Sequence, residues 1–237
     1  MMVKPGRRMK GRREAERRKR LESVGIQAAG IAHEIKNPLT AIKTFADHLP
    51  QRYDDPEFRE KFCRIVNQEI TRAKGIVTNI LLFTSFPKPR RRRCDMARVL
   101  QEVVEILGNE INAAGVAVDL NLKEQEIFAD PEQLKQAFLN IIINAVDAMR
   151  GKGGSLVIGT FVREGGLEVV VEDTGCGIPK GKQHRIFDAF YTSKDSGTGL
   201  GLAVTQSIID QHRGRIRVES KVGRGTRFKI LLPRAGA

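Results

Sequence analysis

The sequence predicts an α + α/β protein: an antiparallel helical hairpin followed by a two-layer α/β sandwich. Three observations carry that prediction. Apolar residues recur at heptad spacing up to about residue 86. Phe86-Pro-Lys-Pro and the arginine run after it then break the pattern. Beyond Cys94, helical and alternating stretches interleave without regular βαβ repeats.

Residues 1–20 are basic and lack an apolar face. They suit a solvated helix start, or the cytoplasmic flank of a membrane helix outside this chain. Helix one is expected over about residues 10–49. One series of its seam is Leu21, Ala28, Ile35, Ile42 and Leu49; the other is Val24, Ile31, Pro38 and Phe45. The seam begins abruptly at Leu21, as if the helix continued upstream into a sensor. With Ala28 at heptad position a, His33 falls at f and Asn37 at c, both on the outer face, while Glu34 at g flanks the seam. Pro38 removes a helical donor and crowds the Glu34 carbonyl, at roughly 3 kcal/mol, so a loosened turn is expected beside His33. His48-Leu49-Pro50 is expected to end the helix. Helix two follows over about Pro56 to Phe86, its seam running Phe58, Phe62, Val66, Ala73, Ile76, Ile80 and Phe83, with Glu69 the polar exception. Two such helices cannot bury both seams alone, which predicts a symmetric dimer with a four-helix bundle. Pro87 to Arg93 reads as a hinge linker.

The sandwich begins at Cys94. A helix is expected over Met96 to Ala114, with Val99, Val103, Ile106 and Ile111 on one face. Val116 to Leu122 alternates as a strand, and Glu126 to Ala129 is a short one. Asp130-Pro131 caps a helix whose buried side carries Leu134, Ala137, Phe138, Ile141, Ile142, Ala145 and Met149. Ser155 to Val162 and Leu167 to Glu172 are β-rich runs joined at Glu164-Gly-Gly. Leu200 to His212 is helical, and Arg215 to Glu219 with Thr226 to Leu232 forms a closing hairpin.

Net charge over the 237 residues is +13. Residues 1–20 hold +8, and Lys88 with Arg90–Arg93 another +5, so the remainder is neutral. A neutral body with basic ends argues against a nucleic-acid-binding fold, which spreads positive charge over a face or groove. Cys63, Cys94 and Cys176 are widely separated and form no CxxC, which argues against a disulfide framework or zinc site and fits a reducing compartment. No apolar run reaches the roughly 20 residues a bilayer span needs.

Polar and glycine-rich blocks follow in order along the sandwich. Asn140 and Asn144 lie one turn apart on an apolar helix, with Asp147 one turn on. Such amides either bond a neighbouring carbonyl or present an oxygen to Mg²⁺ beside phosphates. Asp173-Thr-Gly-Cys-Gly-Ile-Pro179 follows a strand; its carboxylate can accept from an exocyclic amine, and Gly175 and Gly177 permit close approach. In IFDAFYTSK, Phe187 and Phe190 can anchor a mobile segment that leaves Lys194 to reach a phosphate. Gly197-Thr198-Gly199-Leu200-Gly201 opens a helix, where spare N–H groups and the helix dipole favour phosphate oxygens. Gly223-Arg-Gly-Thr226-Arg turns the last hairpin. Taken singly, each glycine block reads as an ordinary turn.

Taken together, HEIKNPL at His33–Leu39 resembles the H-box of sensor histidine kinases, and the later blocks resemble that family's N, G1, F, G2 and G3 boxes in family order over about residues 21–232. The resemblance implies a Bergerat-type ATPase fold, ATP and Mg²⁺, autophosphorylation on His33, and phosphotransfer to an aspartate of a response-regulator receiver domain. It implies catalytic roles for His33, Glu34 and Asn37. ATP contacts fall to Asn140, Asn144, Asp147, Asp173, Gly175, Gly177, Lys194, Gly197, Thr198, Gly199, Leu200, Gly201 and Thr226, with Asn144 on the metal and Asn140 as its second candidate ligand. Glu34-Ile-Lys-Asn37 resembles the family's ExxN phosphatase signature. The related ATPases that hydrolyse ATP directly carry a Glu one turn before the metal Asn; Asn140 stands there, which favours transfer to a side chain. The implied organisation is a dimerisation and phosphotransfer hairpin over 21–86, a linker over 87–93 and a catalytic domain over 94–237. A homodimer is implied, without nucleic acid, in the cytoplasm or as the cytoplasmic part of a membrane-bound sensor. Two other readings are a Bergerat ATPase driving clamp closure, marked by steady hydrolysis without a phospho-enzyme, and a DNA-binding scaffold, marked by salt-sensitive DNA binding that needs residues 1–20.

Overall fold

A computed structural model describes residues 22, 24–26, 28–85, 87–194 and 197–233. The basic segment 1–20, Leu21 and Phe86 lie outside them. The described residues form two units: residues up to Pro87 with Thr192–Leu200, and Lys88–Tyr191 with the residues from Gly201 on.

The first unit is a helical hairpin. Helix α1 spans Ala28–Arg52 and α2 spans Pro56–Ser85, and they pack on each other. The heptad reading holds from Ile31 on: Ile31, Ile35, Ile42, Phe45 and Leu49 are partly covered and Pro38 is buried. Before it Val24 is partly covered, whereas Ala28, expected on the seam, is exposed. On α2, Phe58 and Phe83 are buried and Phe62, Val66, Glu69, Ala73, Ile76 and Ile80 are partly covered. Phe45 and Phe58 stack across the hairpin at 6.0 Å. Helix α1 does not end at Leu49; it continues through Pro50 to Arg52. The turn after it closes on Asp55, whose carboxylate caps the start of α2 at Phe58 N at 3.1 Å and pairs with Arg52 at 2.6 Å. The helix is also continuous through Pro38, where the Thr40 hydroxyl donates to the Lys36 carbonyl at 2.9 Å.

The second unit is the α/β sandwich. Strand β1 (Arg92–Asp95) pairs antiparallel with β3 (Glu126–Ala129). Arg92 and Arg93, expected in the linker, are therefore sheet residues; Cα register sets Arg92 opposite Ala129 and Arg93 opposite Phe128. The expected helix over Met96 to Ala114 is two helices, α3 (Met96–Ile106) and α4 (Gly108–Ala113), separated at the buried Leu107. The Asp95 carboxylate caps Ala97 N at 3.1 Å and also accepts from Gln125 N at 3.0 Å. Strand β2 (Val116–Asn121), helix α5 (Pro131–Met149), strands β4 (Gly154–Arg163) and β5 (Gly166–Asp173), helix α6 (Gly201–Gln211), and strands β6 (Arg215–Lys221) and β7 (Gly225–Leu232) complete the unit.

The larger sheet has the order β2-β4-β5-β7-β6, with β2 and β4 parallel and the other pairs antiparallel. Alternate residues of β5 are buried, so one sheet face meets helices and the other carries ion pairs such as Arg227–Glu172 at 2.6 Å. Helix α5 lies on the inner face between α3 and α6, with Leu134, Phe138, Ile141 and Ile142 fully covered. That is the two-layer arrangement expected from the sequence.

Candidate functional site

On the hairpin, His33 and Asn37 are exposed and Glu34 is half-buried, as their heptad positions require. Burial raises the Glu34 carboxyl above its ordinary range, against the pull of Arg72 and then His33. A carboxylate with raised affinity for protons thus adjoins an exposed imidazole.

The sandwich gathers a second set of residues at the C-terminal ends of α5 and β5. Asp173, the last residue of β5, is 4% exposed. One of its oxygens accepts from Gly175 N at 2.8 Å and from Thr226 N at 3.2 Å. Burial raises the carboxyl, and those two N–H bonds oppose the rise. The loop after Asp173 runs against α5: Cys176 N donates to Ala148 O at 3.1 Å, and a Cβ added to Gly175 would stand 2.7 Å from Ala148 Cβ. Gly177 has φ +71°, a left-handed conformation that needs glycine at little cost. Asp147 sits one residue before that contact and pairs with Arg150 at 3.1 Å.

Asn140 is buried, and its amide nitrogen donates to Gly201 O at 2.9 Å. The sequence left open whether the two amides bond a carbonyl or a metal; Asn140 does bond one, stapling α5 to the first residue of α6. Asn144 is half-buried one turn on. Thr226 is buried, with its hydroxyl 3.0 Å from Ser220 Oγ. Phe187 meets Phe228 of β7 edge-on at 6.5 Å, the anchoring expected of it.

Lys194, Gly197, Thr198, Gly199 and Leu200 belong to the other unit. Within their segment, Lys194 N donates to Thr192 Oγ1 at 3.1 Å, Leu200 N donates to Thr198 Oγ1 at 3.3 Å, and Gly199 has φ +62°. Within the sandwich, Asn140 is thus joined to Gly201, and Asp173 to Gly175 and Thr226.

Sequence reading missed the residues that hold the Asp173 loop in place. Ser220 accepts from Ile178 N at 2.7 Å, and the Gln183 amide donates to Ile178 O at 3.0 Å and Ser220 O at 2.9 Å. Neither stands in a local pattern that marks it; the contacts span 42 and 37 residues.

Residues 23–87 match the family described as His Kinase A (phospho-acceptor) domain. Residues 129–236 match the Histidine kinase-, DNA gyrase B-, and HSP90-like ATPase family. The chain is 38% identical to the signal transduction histidine-protein kinase AtoS of Escherichia coli K12, over 94% of this chain and 37% of the relative. It is 34% identical to sporulation kinase E of Bacillus subtilis, over 94% of this chain and 31% of the relative. It thus spans about a third of the length of these relatives. Among solved structures, histidine kinase ThkA in complex with response regulator protein TrrA superposes with a TM-score of 0.71 at 28% identity, over 95% of this chain and 66% of that one. A mycobacterial sensor histidine kinase, MprB, gives 0.55 at 27% identity, over 61% of this chain and 97% of that one.

Proposed function

The chain belongs to the sensor histidine kinases of two-component systems, and from that membership we propose that it transfers the γ-phosphoryl group of ATP to His33 and then to an aspartate of a receiver domain. The observation that carries this reading is the exposed His33 imidazole beside the half-buried Glu34.

Phosphoryl transfer is mostly positioning and charge stabilisation. An unprotonated ring nitrogen of His33 forms the new P–N bond as the bond to the β-phosphate oxygen breaks and ADP leaves. The other ring nitrogen then gives its proton to Glu34, whose raised proton affinity suits it to accept. Asp173 takes the adenine amine through its second oxygen. The first oxygen, held by Gly175 N and Thr226 N, fixes the carboxylate plane. Lys194, Thr198 and the turn Gly197–Gly201 take the phosphates.

The donor set suits magnesium, which needs few protein oxygens when phosphates and water supply the rest. Among the described residues no three His, Cys, Asp or Glu side chains converge, so this is not a cage of protein carboxylates. Asn144 is the ligand proposed, and Asn140, whose amide nitrogen is committed to Gly201 O, orients the helix pair. Bound there, Mg²⁺ would supply charge neutralisation at the phosphates.

The partners proposed are a second copy, completing a four-helix bundle, and a receiver domain. Asn37, exposed on the same outer face as His33, supports a second activity: orienting a water that removes phosphate from the regulator. Incubation with radiolabelled ATP tests the main reading. The parent chain gains label that acid releases and base does not. His33→Ala abolishes labelling and still binds nucleotide, while Asn144→Ala loses Mg-ATP affinity. Acid-stable label, or label surviving in His33→Ala, would overturn the assignment.

A further inference from the structure

The end of the linker and the two helices beneath the nucleotide residues meet in a buried polar cluster. Asp130, 8% exposed, caps α5: one carboxylate oxygen accepts from Glu132 N and Gln133 N, both at 3.1 Å. Its other oxygen accepts from Arg90 N at 2.7 Å. Asp130 N donates to His212 Nε2 at 3.0 Å. His212, the first residue past α6, is 4% exposed, and its Nδ1 lies 2.8 Å from Ile208 O. A carbonyl can only accept, so Nδ1 carries the proton and Nε2 is a lone-pair acceptor: the ring is neutral. The Arg91 guanidinium donates to Gln211 O at the same helix end, and its Nε is buried.

Helices α5 and α6 are cross-braced at three levels. Asp130 meets His212, Ala137 O accepts from Thr205 Oγ1 at 3.3 Å, and Asn140 meets Gly201. The linker is fastened to the first of these levels, and the nucleotide residues stand at and beyond the third.

We infer that the backbone N–H of Arg90 and the side chains of Arg91, Asp130 and His212 form a clasp that locks the end of the linker to the α5–α6 pair, which makes those three side chains positioning residues for phosphoryl transfer. The inference rests on the kinase reading above. The joint is then confined to Pro87–Pro89, rather than extending over Pro87 to Arg93. Any swing of the linker is delivered to the helix pair as a unit and is not lost in slack chain. Protonating His212 opens the clasp, because Nε2 would become a donor facing the Asp130 N–H. The charged groups facing the ring are Arg91 from the linker, which opposes protonation, and Asp130 from the cap of α5, which favours it.

Autophosphorylation of the full chain at saturating ATP, with nucleotide affinity measured in parallel, tests the clasp. Arg90→Pro deletes the N–H that Asp130 accepts, and Arg91→Ala deletes the anchor to Gln211 O. Both are expected to slow His33 labelling about tenfold, with nucleotide affinity within about twofold of the parent. Arg90→Ala keeps the N–H and labels at the parent rate, since that side chain is exposed. The parent rate falls in acid through a step that His212→Gln lacks, because a glutamine oxygen accepts the Asp130 N–H without taking a proton. Parent-like rates in Arg90→Pro and Arg91→Ala overturn the clasp. So does a loss of nucleotide affinity in proportion to rate, the mark of a merely structural defect. If Arg91→Ala fails to fold, Arg90→Pro and the acid step decide alone. A parent chain that binds nucleotide but takes no label refutes the kinase reading, and the clasp falls with it.

Discussion

Across α1 and α2, only Pro38, Phe58 and Phe83 are buried, whereas helix α5, with 19 residues, buries 11 of them. The hairpin has the apolar periodicity of a bundle but a single partner helix for each seam. Ile70, Val77 and Leu81 recur on one side of α2 and stay exposed, as does Leu39 on α1. The sandwich closes its core with its own elements. Helical periodicity by itself therefore states how much apolar surface must be covered, and leaves open whether the same chain covers it.

The largest expected effect sharpens that contrast. Phe138→Ala removes a fully buried ring from the sandwich and should cost about 3–5 kcal/mol in its unfolding free energy. Ile42→Ala, at a half-covered seam position, should cost under about 1 kcal/mol at protein concentrations where the chain is monomeric, and more as concentration rises. Equal costs, independent of concentration, would break the comparison. Next is Asp173→Asn. Its oxygen still accepts from Gly175 N and Thr226 N, so the melting temperature should hold or rise. In the proposed site its nitrogen would meet the adenine amine as a second donor, and nucleotide affinity should fall about 100-fold by calorimetry.

A smaller effect concerns pH. Burial lowers His212 below its ordinary value of 6.5, so the folded ring stays neutral where the unfolded chain takes up a proton. The unfolded state binds more protons in that window. Sandwich stability should fall as pH drops from about 6.5 toward the folded value, and lose no more below it; chemical denaturation of parent and His212→Gln chains across that window checks the slope. The smallest is a gain. Arg213 holds φ +58° at the end of α6, where Gly214 N bonds Ile209 O at 2.9 Å and Arg213 N bonds Asp210 O at 2.9 Å. This helix stop favours glycine at its left-handed residue, and Arg213→Gly should stabilise the sandwich by about 1 kcal/mol in thermal unfolding.

Local patterns carried most of the architecture. Heptad spacing placed His33 outward and Glu34 on the seam flank, and the pair Asp130-Pro131 marked the start of α5. Boundaries failed where a non-local partner or a single cap decided them. Arg92 and Arg93 looked like solvated linker because their partners on β3, Ala129 and Phe128, lie far along the chain. Proline at position 50 looked like a stop, yet the cap that ends the turn is Asp55. Asp173 was legible as a site because it follows a strand and precedes glycines. His212 was not, since its task is set by an N–H 82 residues earlier in the chain.

One of the two edge strands of the large sheet, β6, alternates Arg215, Arg217, Glu219 and Lys221 on its exposed side. A foreign strand joining its open ladder would have to strip water from that row of ions. That edge can therefore be crowded against copies of itself without pairing strand to strand.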